Sequence, residues 1–469
     1  MKSFKKLFAL TLVAAMLFSL LTACGNGNNE TTAGTTAETA GETTGETEDT
    51  ATASGQVYYL NFKPEVAEVW EELAAKYTEE TGVPVKVVTA ASGTYEQTLM
   101  SEIAKTDAPT LFQINGPVGY QNWKDYCLDL SDTDLHSWLL DKSLAVTDGD
   151  GVYGIPYVVE GYGIIYNDEI MQKYFALEDK AVDIFSAEEI NNFETLKTVV
   201  EDMTAKKEEL EIDGVFASTS FSAGEDWRWQ THLANLPIYY EFKDKGIADA
   251  MEIEFTYSDN YKNIFDLYIN NSITESTMLG SKSVVDSMSE FALGQVAMVQ
   301  NGNWGWSQIA EVSGNVVTEE NIKFLPIYTG VEGEETQGLC TGTENFFSIN
   351  SQASEENQAA SIAFVEWLFS SDMGKDYVTN QLGFIAPFDT FADDEKPTDP
   401  LAQEVIRFME DESLTSVSWT FTAFPSQTFK DNFGASLLQY AQGSKEWDQV
   451  VEDMVADWAY EKEATAAAE

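Results

Sequence analysis

"VYYLNFKPEVAEVWEELAAKYTEETGVPVKVVTAASGTYEQTLMSEIAKTDAPTLFQINGP" occupies residues 57–117, and its rhythm decides the fold class. Val57 to Phe62 is a short apolar and aromatic run, the pattern of a strand. Pro64 suits the first turn of a helix, and Val66, Val69, Leu73 and Tyr77 then recur at helical spacing. Gly82 supplies the stop. Val83 to Val88 reads as a second strand, Tyr95 to Lys105 as a second helix, and Thr110 to Ile114 as a third strand. Strict alternation of strand and helix predicts a parallel sheet covered by helices, an α/β fold.

In open sheets of that kind, ligands bind beyond the carboxyl ends of the strands. The rule selects Asn61, Phe62 and Lys63 after the first strand. It selects Ser92, Gly93, Thr94 and Tyr95 after the second, and Asn115, Gly116 and Pro117 after the third. Several can hydrogen-bond, and none is a nucleophile with a base beside it. As turn and cap residues they would have a purely structural use.

Ahead of this stretch, Lys2, Lys5 and Lys6 precede an apolar run from Leu7 to Leu21, which is shorter than the roughly 20 residues a membrane-spanning helix needs. Residues 1–23 are therefore expected to be an export signal. Leu21-Thr22-Ala23-Cys24 resembles a bacterial lipobox, so Cys24 is the expected lipidation site and mature N-terminus. Residues 25–56 are nearly all Gly, Ala, Thr, Asn, Ser and Glu, and cannot bury enough apolar surface to order themselves. A flexible coil of that length spans on the order of 30 Å. The expected body is thus held on a leash at an outer membrane face, and no later stretch approaches membrane-spanning length.

The body, from residue 57 to 469, is too large for one ordinary core and suits two domains. The formal charge of the whole sequence is −53; losing the three lysines of the leader, and no acid, brings it to −56. Nucleic acid and anionic lipid surfaces would be repelled. Cys127 and Cys340 are too few and too far apart for a disulfide framework. His136 and His232 have no ligand-like spacing with either, so no metal and no cofactor is expected.

Asp148-Gly149-Asp150-Gly151 alternates carboxylates as a calcium loop does. Where an EF-hand needs a glutamate, though, Val159 and Gly161 stand, and an Asp-Gly hairpin turn is the expectation. Ile155 to Tyr166 then reads as one extended apolar stretch carrying a single acid, Glu160, which should be paired or face a polar cavity. Of the eleven tryptophans, Trp70, Trp123, Trp367, Trp447 and Trp458 lie in apolar helical patterns and are expected in the core. Trp227, Trp229, Trp304, Trp306 and Trp419 sit among Gly, Ser, Asn and Asp instead, and Trp227, Trp229 and Trp304 are the candidates for stacking on a ligand.

Three further stretches, "GDGVYGIPYVVEGYGIIYND" (149–168), "FALGQVAMVQNGNWGW" (291–306) and "QLGFIAPF" (381–388), resemble the extracellular solute-binding proteins of ABC importers. The likeness falls in the carbohydrate branch that includes maltodextrin-binding proteins. It runs from about 57 to 469 and extends to the lipoprotein leader of Gram-positive members. The resemblance implies a periplasmic-binding-protein-like fold, two α/β lobes with a hinge and an interlobe ligand cleft. It implies chain crossings near Glu160, near Gly342 to Glu344 and near Gly383 to Ala386. The expected lobes are 57–160 with 344–382, and 161–343 with 383–469. Matched by motif, Asn61 and Lys63 fall in the first loop, Asn115 in the loop after the third strand, and Glu160 in a hinge segment. Trp304 falls in "QNGNW", and Trp227 and Trp229 in "SAGEDWRWQTHL". Asn303 stands where proline is common in the family, and the 331–345 loop containing Glu344 is poorly matched.

The chemistry of those residues suits a sugar without the name: flat aromatic rings cover a pyranose C–H face while planar amides and carboxylates pair its hydroxyl rim. The resemblance implies a carbohydrate ligand, an ABC permease partner, a lipid-anchored monomer and no catalysis. With no Walker-type loop, ATP hydrolysis is not expected of this chain. Scarce arginine near the expected cleft and a negative field argue against anionic ligands. A surface glycoside hydrolase, a same-fold binder of another solute, and an adhesive or sensory protein are the alternatives.

Overall fold

The computed structural model describes residues 55–468 apart from 92, 219 and 393. The leader, Cys24 and nearly all of the tether lie outside the described residues. Strands β1 (Val57–Asn61), β2 (Val85–Thr89), β3 (Leu111–Ile114), β4 (Val146–Asp148) and β5 (Gly151–Pro156) come first. There follow β6 (Glu160–Asn167), β7 (Gly214–Phe216), β8 (Val296–Gly302), β9 (Ile322–Leu325) and β10 (Gln337–Gly342). Last come β11 (Phe346–Ile349) and β12 (Thr415–Ser418).

They form two six-stranded sheets. One has the order β2-β1-β3-β11-β5-β4; the other runs β12-β10-β6-β8-β7 with β9 also on β6. The expected parallel arrangement holds for β1 with β2 and with β3. The far half of that sheet is antiparallel, which the alternation rule does not foresee. β11 returns from the distant end of the chain rather than through a helical crossover, and β4–β5 is a hairpin. In that hairpin Asp148 pairs with Gly151, and Gly149 turns at φ 58, as the Asp-Gly pattern predicts.

Helices cover both sheets. Pro64 opens one 3-10 turn, after which α1 (Ala67–Thr81) buries Trp70, Leu73 and Tyr77 and ends at Gly82 with φ 75. α2 (Tyr95–Ile103) and α3 (Gly116–Trp123) follow β2 and β3. The α1 face meets the sheet through Trp70, whose ring lies edge-on to Tyr59 at 4.9 Å and to Phe347 at 6.2 Å. Burying each such side chain contributes about 1.5–3 kcal/mol. Phe384 and Phe388 join this core, while Leu401 and Val405 of the helix Pro400–Glu410 pack with the second sheet.

The stretch from Ile155 to Tyr166 is not one strand. It ends in the first sheet at Pro156 and resumes in the second at Glu160. The chain returns between Gly342 and Phe346. Beside the first passage, the Val159 N–H donates to the Ile385 carbonyl at 2.8 Å. A run apolar from end to end gives no internal sign that it changes sheet. Cys127 and Cys340 are both buried and free. Among the described residues no helix is long and apolar enough to cross a membrane, and no metal-ligating cluster occurs.

Candidate ligand-binding site

The carboxyl ends of β1, β2 and β3 all face elements of the second sheet's lobe. A Cβ on Gly93, after β2, would stand 2.9 Å from the Gly224 carbonyl oxygen, and one on Gly116, after β3, 3.3 Å from Thr422. The two lobes therefore meet across a narrow seam, and the candidate residues can be placed along it.

Asn61 does not face outward. Its Oδ1 accepts from the Lys63 N–H at 3.0 Å, and its Nδ2 donates to the Lys63 carbonyl at 2.9 Å and to Thr89 Oγ1 at 3.1 Å. It folds the loop that aims Lys63. Lys63 Nζ then donates to Glu160 Oε1 at 2.7 Å and lies 3.5 Å from Glu65. Asn345 Nδ2 donates to Glu160 Oε2 at 2.6 Å, and Asn345 Oδ1 accepts from Gln113 Nε2 at 2.9 Å. Glu160, isolated in an apolar run, is thus a paired carboxylate. Burial works against the Lys63 ammonium, but Glu160, Glu65 and Glu344 outweigh it and hold its pKa above the ordinary lysine value. Burial raises the Glu160 carboxyl, with Lys63 and Asn345 opposing.

Asn303 secures the start of β6: its Oδ1 accepts from the Gly161 N–H at 2.9 Å, and its own N–H donates to the Gly161 carbonyl at 3.0 Å. Tyr95 is likewise a strut, its hydroxyl accepting from the Gln113 N–H at 2.7 Å. Asn115 Oδ1 is buried and finds no donor among the described residues. Glu344 is half-buried, and burial raises its carboxyl above the usual range, opposed by Lys430 and Lys63.

The aromatic side of the seam comes from the second lobe. Trp227 and Trp304 lie 5.9 Å apart, and Trp304 and Trp419 6.5 Å apart. His232 sits among all three, at 4.7 Å from Trp227, 5.4 Å from Trp304 and 6.3 Å from Trp419. Its ring also stacks on Tyr162 at 4.4 Å. Lys63 Nζ reaches to 6.0 Å from the Trp304 ring, joining the two lobes' contributions. The indole Nε1 atoms of Trp304 and Trp419 are buried without an acceptor among the described residues. A cluster with flat rings and unused N–H donors suits a guest carrying both C–H faces and hydroxyls.

Two glycines allow this packing. A Cβ on Gly302 would stand 2.2 Å from the Trp304 ring, and one on Gly342 2.6 Å from that of Trp419. Backbone geometry sorts the tryptophans of "DWRWQTHL". Arg228–Leu233 is a π-helix, so residues five apart sit near one another and Trp227 faces His232. Trp229 is a correction to the expected ligand plate. It is 3% exposed, stacked on Phe221 at 5.9 Å and edge-on to Tyr268 at 5.1 Å, inside the second lobe's core.

Sequence reasoning missed Arg228, His232, Asn345 and Lys430, and undervalued Trp419. Arg228 lies with its Cζ 4.0 Å over the Trp227 ring. Burial lowers its guanidinium to about 9, still above neutrality. Burial, with Arg228 and Lys430 adding to it, pushes His232 well below its ordinary value and keeps it neutral. The adjacency of Trp227, Arg228 and His232 in one short motif was a usable signal; Asn345 and Lys430 become neighbours only through the fold.

The family model described as bacterial extracellular solute-binding protein matches residues 72–405, well over half the chain. The chain belongs to this family of extracellular solute-binding proteins. A search of curated proteins finds no match. Among solved structures, this solute-binding protein is similar to RafE in complex with raffinose, at 18% identity and TM-score 0.65, over 87% of this chain and 99% of that one. A chitin oligosaccharide binding protein matches at 16% identity and TM-score 0.66, over 88% and 100% of the two chains. Maltose-bound MalE3 of T. maritima matches at 13% and 0.64, over 87% and 100%. At these identities the likeness concerns the fold: two α/β lobes of the periplasmic-binding-protein type.

Proposed function

We propose that this solute-binding protein captures a carbohydrate, an oligosaccharide in particular, between its two lobes and delivers it to an ABC permease. The observation that carries the reading is the approach of Lys63 of one lobe to Trp304 of the other, where Trp304 clusters with Trp227 and Trp419, with the Trp304 and Trp419 indole N–H groups left unused. The solved relatives named for raffinose, chitin oligosaccharide and maltose support it.

In this reading the passages at 156–160 and 342–346 act as the hinge. The lobes are close to 57–160 with 344–382 and 161–343 with 383–469, the second boundary moving past Phe388 because that ring packs with the first core. Ligand bridging both lobes shifts the hinge equilibrium by its differential affinity for the closed form; moving 1:99 to 99:1 takes about 5.5 kcal/mol. Cys24 carries the lipid anchor, residues 25–56 are the tether, and the chain works as a monomer at the outer membrane face. Catalysis has no part in it.

A thermal-shift screen over mono-, di- and oligosaccharides tests this, followed by X-ray scattering with the best ligand. A hit at 100 times its dissociation constant stabilises by about 2.7 kcal/mol, and the radius of gyration falls on binding. Saccharides that leave melting unchanged, while a polyol, peptide or organic acid raises it, would refute the sugar assignment. Coincident scattering curves would refute hinge closure.

A further inference from the structure

The basic residues of this chain are almost all lysines; only Arg228 and Arg407 are arginines. Arg407 lies half-exposed on the outside, forked onto Glu404 with Nε to Oε1 at 2.9 Å and Nη2 to Oε2 at 2.8 Å. Arg228 is in the opposite situation. It is 1% exposed, and none of Nε, Nη1 and Nη2 finds an acceptor among the described residues. On its core side a cavity of about 10 Å³, the space of about one water, is lined also by Ser218, Trp229, Tyr268 and Gln300. Gln300 spends its Nε2 on the Arg228 carbonyl at 2.8 Å and keeps Oε1 unpaired, and the Tyr268 hydroxyl is unpaired too. Glu225 and Glu65 are near enough to favour its charged form, but among the described residues neither forms an ion pair with it.

A guanidinium taken out of water without an acceptor is strongly unfavourable unless something arrives to pair it. Lysine would serve a surface charge equally well, and this chain uses lysine everywhere else but one. Arginine differs in its planar fork, which matches a carboxylate through two parallel N–H donors, and in its ability to lie on an aromatic ring. The second is seen here: Arg228 Cζ lies 4.0 Å from the centre of the Trp227 ring, and that ring lies 5.9 Å from Trp304. A guest ring lying on the indoles would bring a substituent to the guanidinium.

We propose that Arg228 seats a carboxylate of the captured solute, so that the ligand is an acidic saccharide carrying a uronate. This rests on the saccharide reading above and specifies its class. It also reverses the expectation that anionic ligands are disfavoured. A formal charge of −53 repels free anions, so a site for chloride or phosphate alone would work against the field of the whole molecule. A saccharide brings ring stacking and hydroxyl pairing that offset the repulsion.

The test is calorimetry on the full chain with galacturonate and glucuronate di- and trisaccharides, each against its methyl ester, which keeps ring and linkage but removes the charge. Sodium chloride and inorganic phosphate are titrated separately. Acids binding at least tenfold more tightly than their esters is the expected result, with the preference falling to within twofold in Arg228→Met and to an intermediate value in Arg228→Lys. The readout is the ratio of acid to ester affinity within each variant, and Arg228→Lys serves if Arg228→Met melts early. Equal binding of acid and ester by the parent chain overturns the proposal, as does an acid preference that survives in both variants. A response to chloride or phosphate alone overturns it too. If neutral oligosaccharides bind and acids do not, the Arg228 assignment fails and the saccharide reading stands; if no saccharide of either kind binds, both fall.

Discussion

At the scale of single residues, the seam is governed by one buried pair. Lys63 and Glu160 are each under 6% exposed at the side chain and 2.7 Å apart. Removing one partner leaves the other charged and buried, which costs about 3–5 kcal/mol, whereas replacing both with apolar groups is often neutral. Lys63→Met should therefore lower unfolding free energy by about that amount in urea denaturation, and Lys63→Met with Glu160→Leu should recover most of it. A double variant no more stable than the single would show that the loop itself, rather than the unpaired carboxylate, carries the loss. Asn61 and Tyr95 were legible as residues of the ligand-facing loops, but their polar atoms turn inward. Only the three-dimensional course of each loop decides whether an amide meets a guest or its own backbone.

Elements set where the rings point. β8 ends in Gly302 and β10 in Gly342, and the indoles of Trp304 and Trp419 occupy the space a Cβ would fill. Gly342→Ala places a carbon 2.6 Å from Trp419 Cγ, so the ring must move. Ligand affinity by calorimetry should drop by about tenfold, near 1.4 kcal/mol, with far-UV circular dichroism unchanged. Unaltered affinity would mean that Trp419 is not part of the binding surface. The π-helix at Arg228–Leu233 has the same kind of consequence. Read at the α-helical period, "DWRWQTHL" offers Trp227 and Trp229 as equals; the wider turn sends one toward His232 and the other into the core. Periodicity analysis has no means of announcing a π-turn.

At the scale of the whole molecule, the segment between the two cores contains a carboxyl sensitive to pH. Asp399 caps the helix Pro400–Glu410 by accepting from the Ala402 N–H at 2.9 Å, and lies against Gly383. Burial, with Glu319 adding to it, pushes its carboxyl up to about 7, although the Ala402 and Leu401 N–H groups pull the other way. The unfolded chain ionises this group near the ordinary value of about 3.9. Between there and about 7 the folded state holds the extra proton, so its contribution to stability is lost as pH rises and is gone above that range. Asp399→Asn keeps the cap acceptor and removes the titration. Its melting temperature should match the parent near pH 4 and exceed it progressively up to pH 8; parallel curves across the range would show that Asp399 ionises normally.

The sequence alone determined the α/β class, the first three strands with their helices, the hairpin at Asp148–Gly151 and the loops that face the second lobe. Each depends on local backbone preference and on apolar period, which are written in consecutive residues. Tertiary structure alone decided that Glu160 would be paired by Lys63 and Asn345, that Trp229 would be core and Trp419 would pack beside Trp304, and that Arg228 would be buried without an acceptor. Those outcomes are set by contacts between residues tens to hundreds of positions apart. Such contacts come into being only when two sheets, each crossed by the chain more than once, are brought face to face.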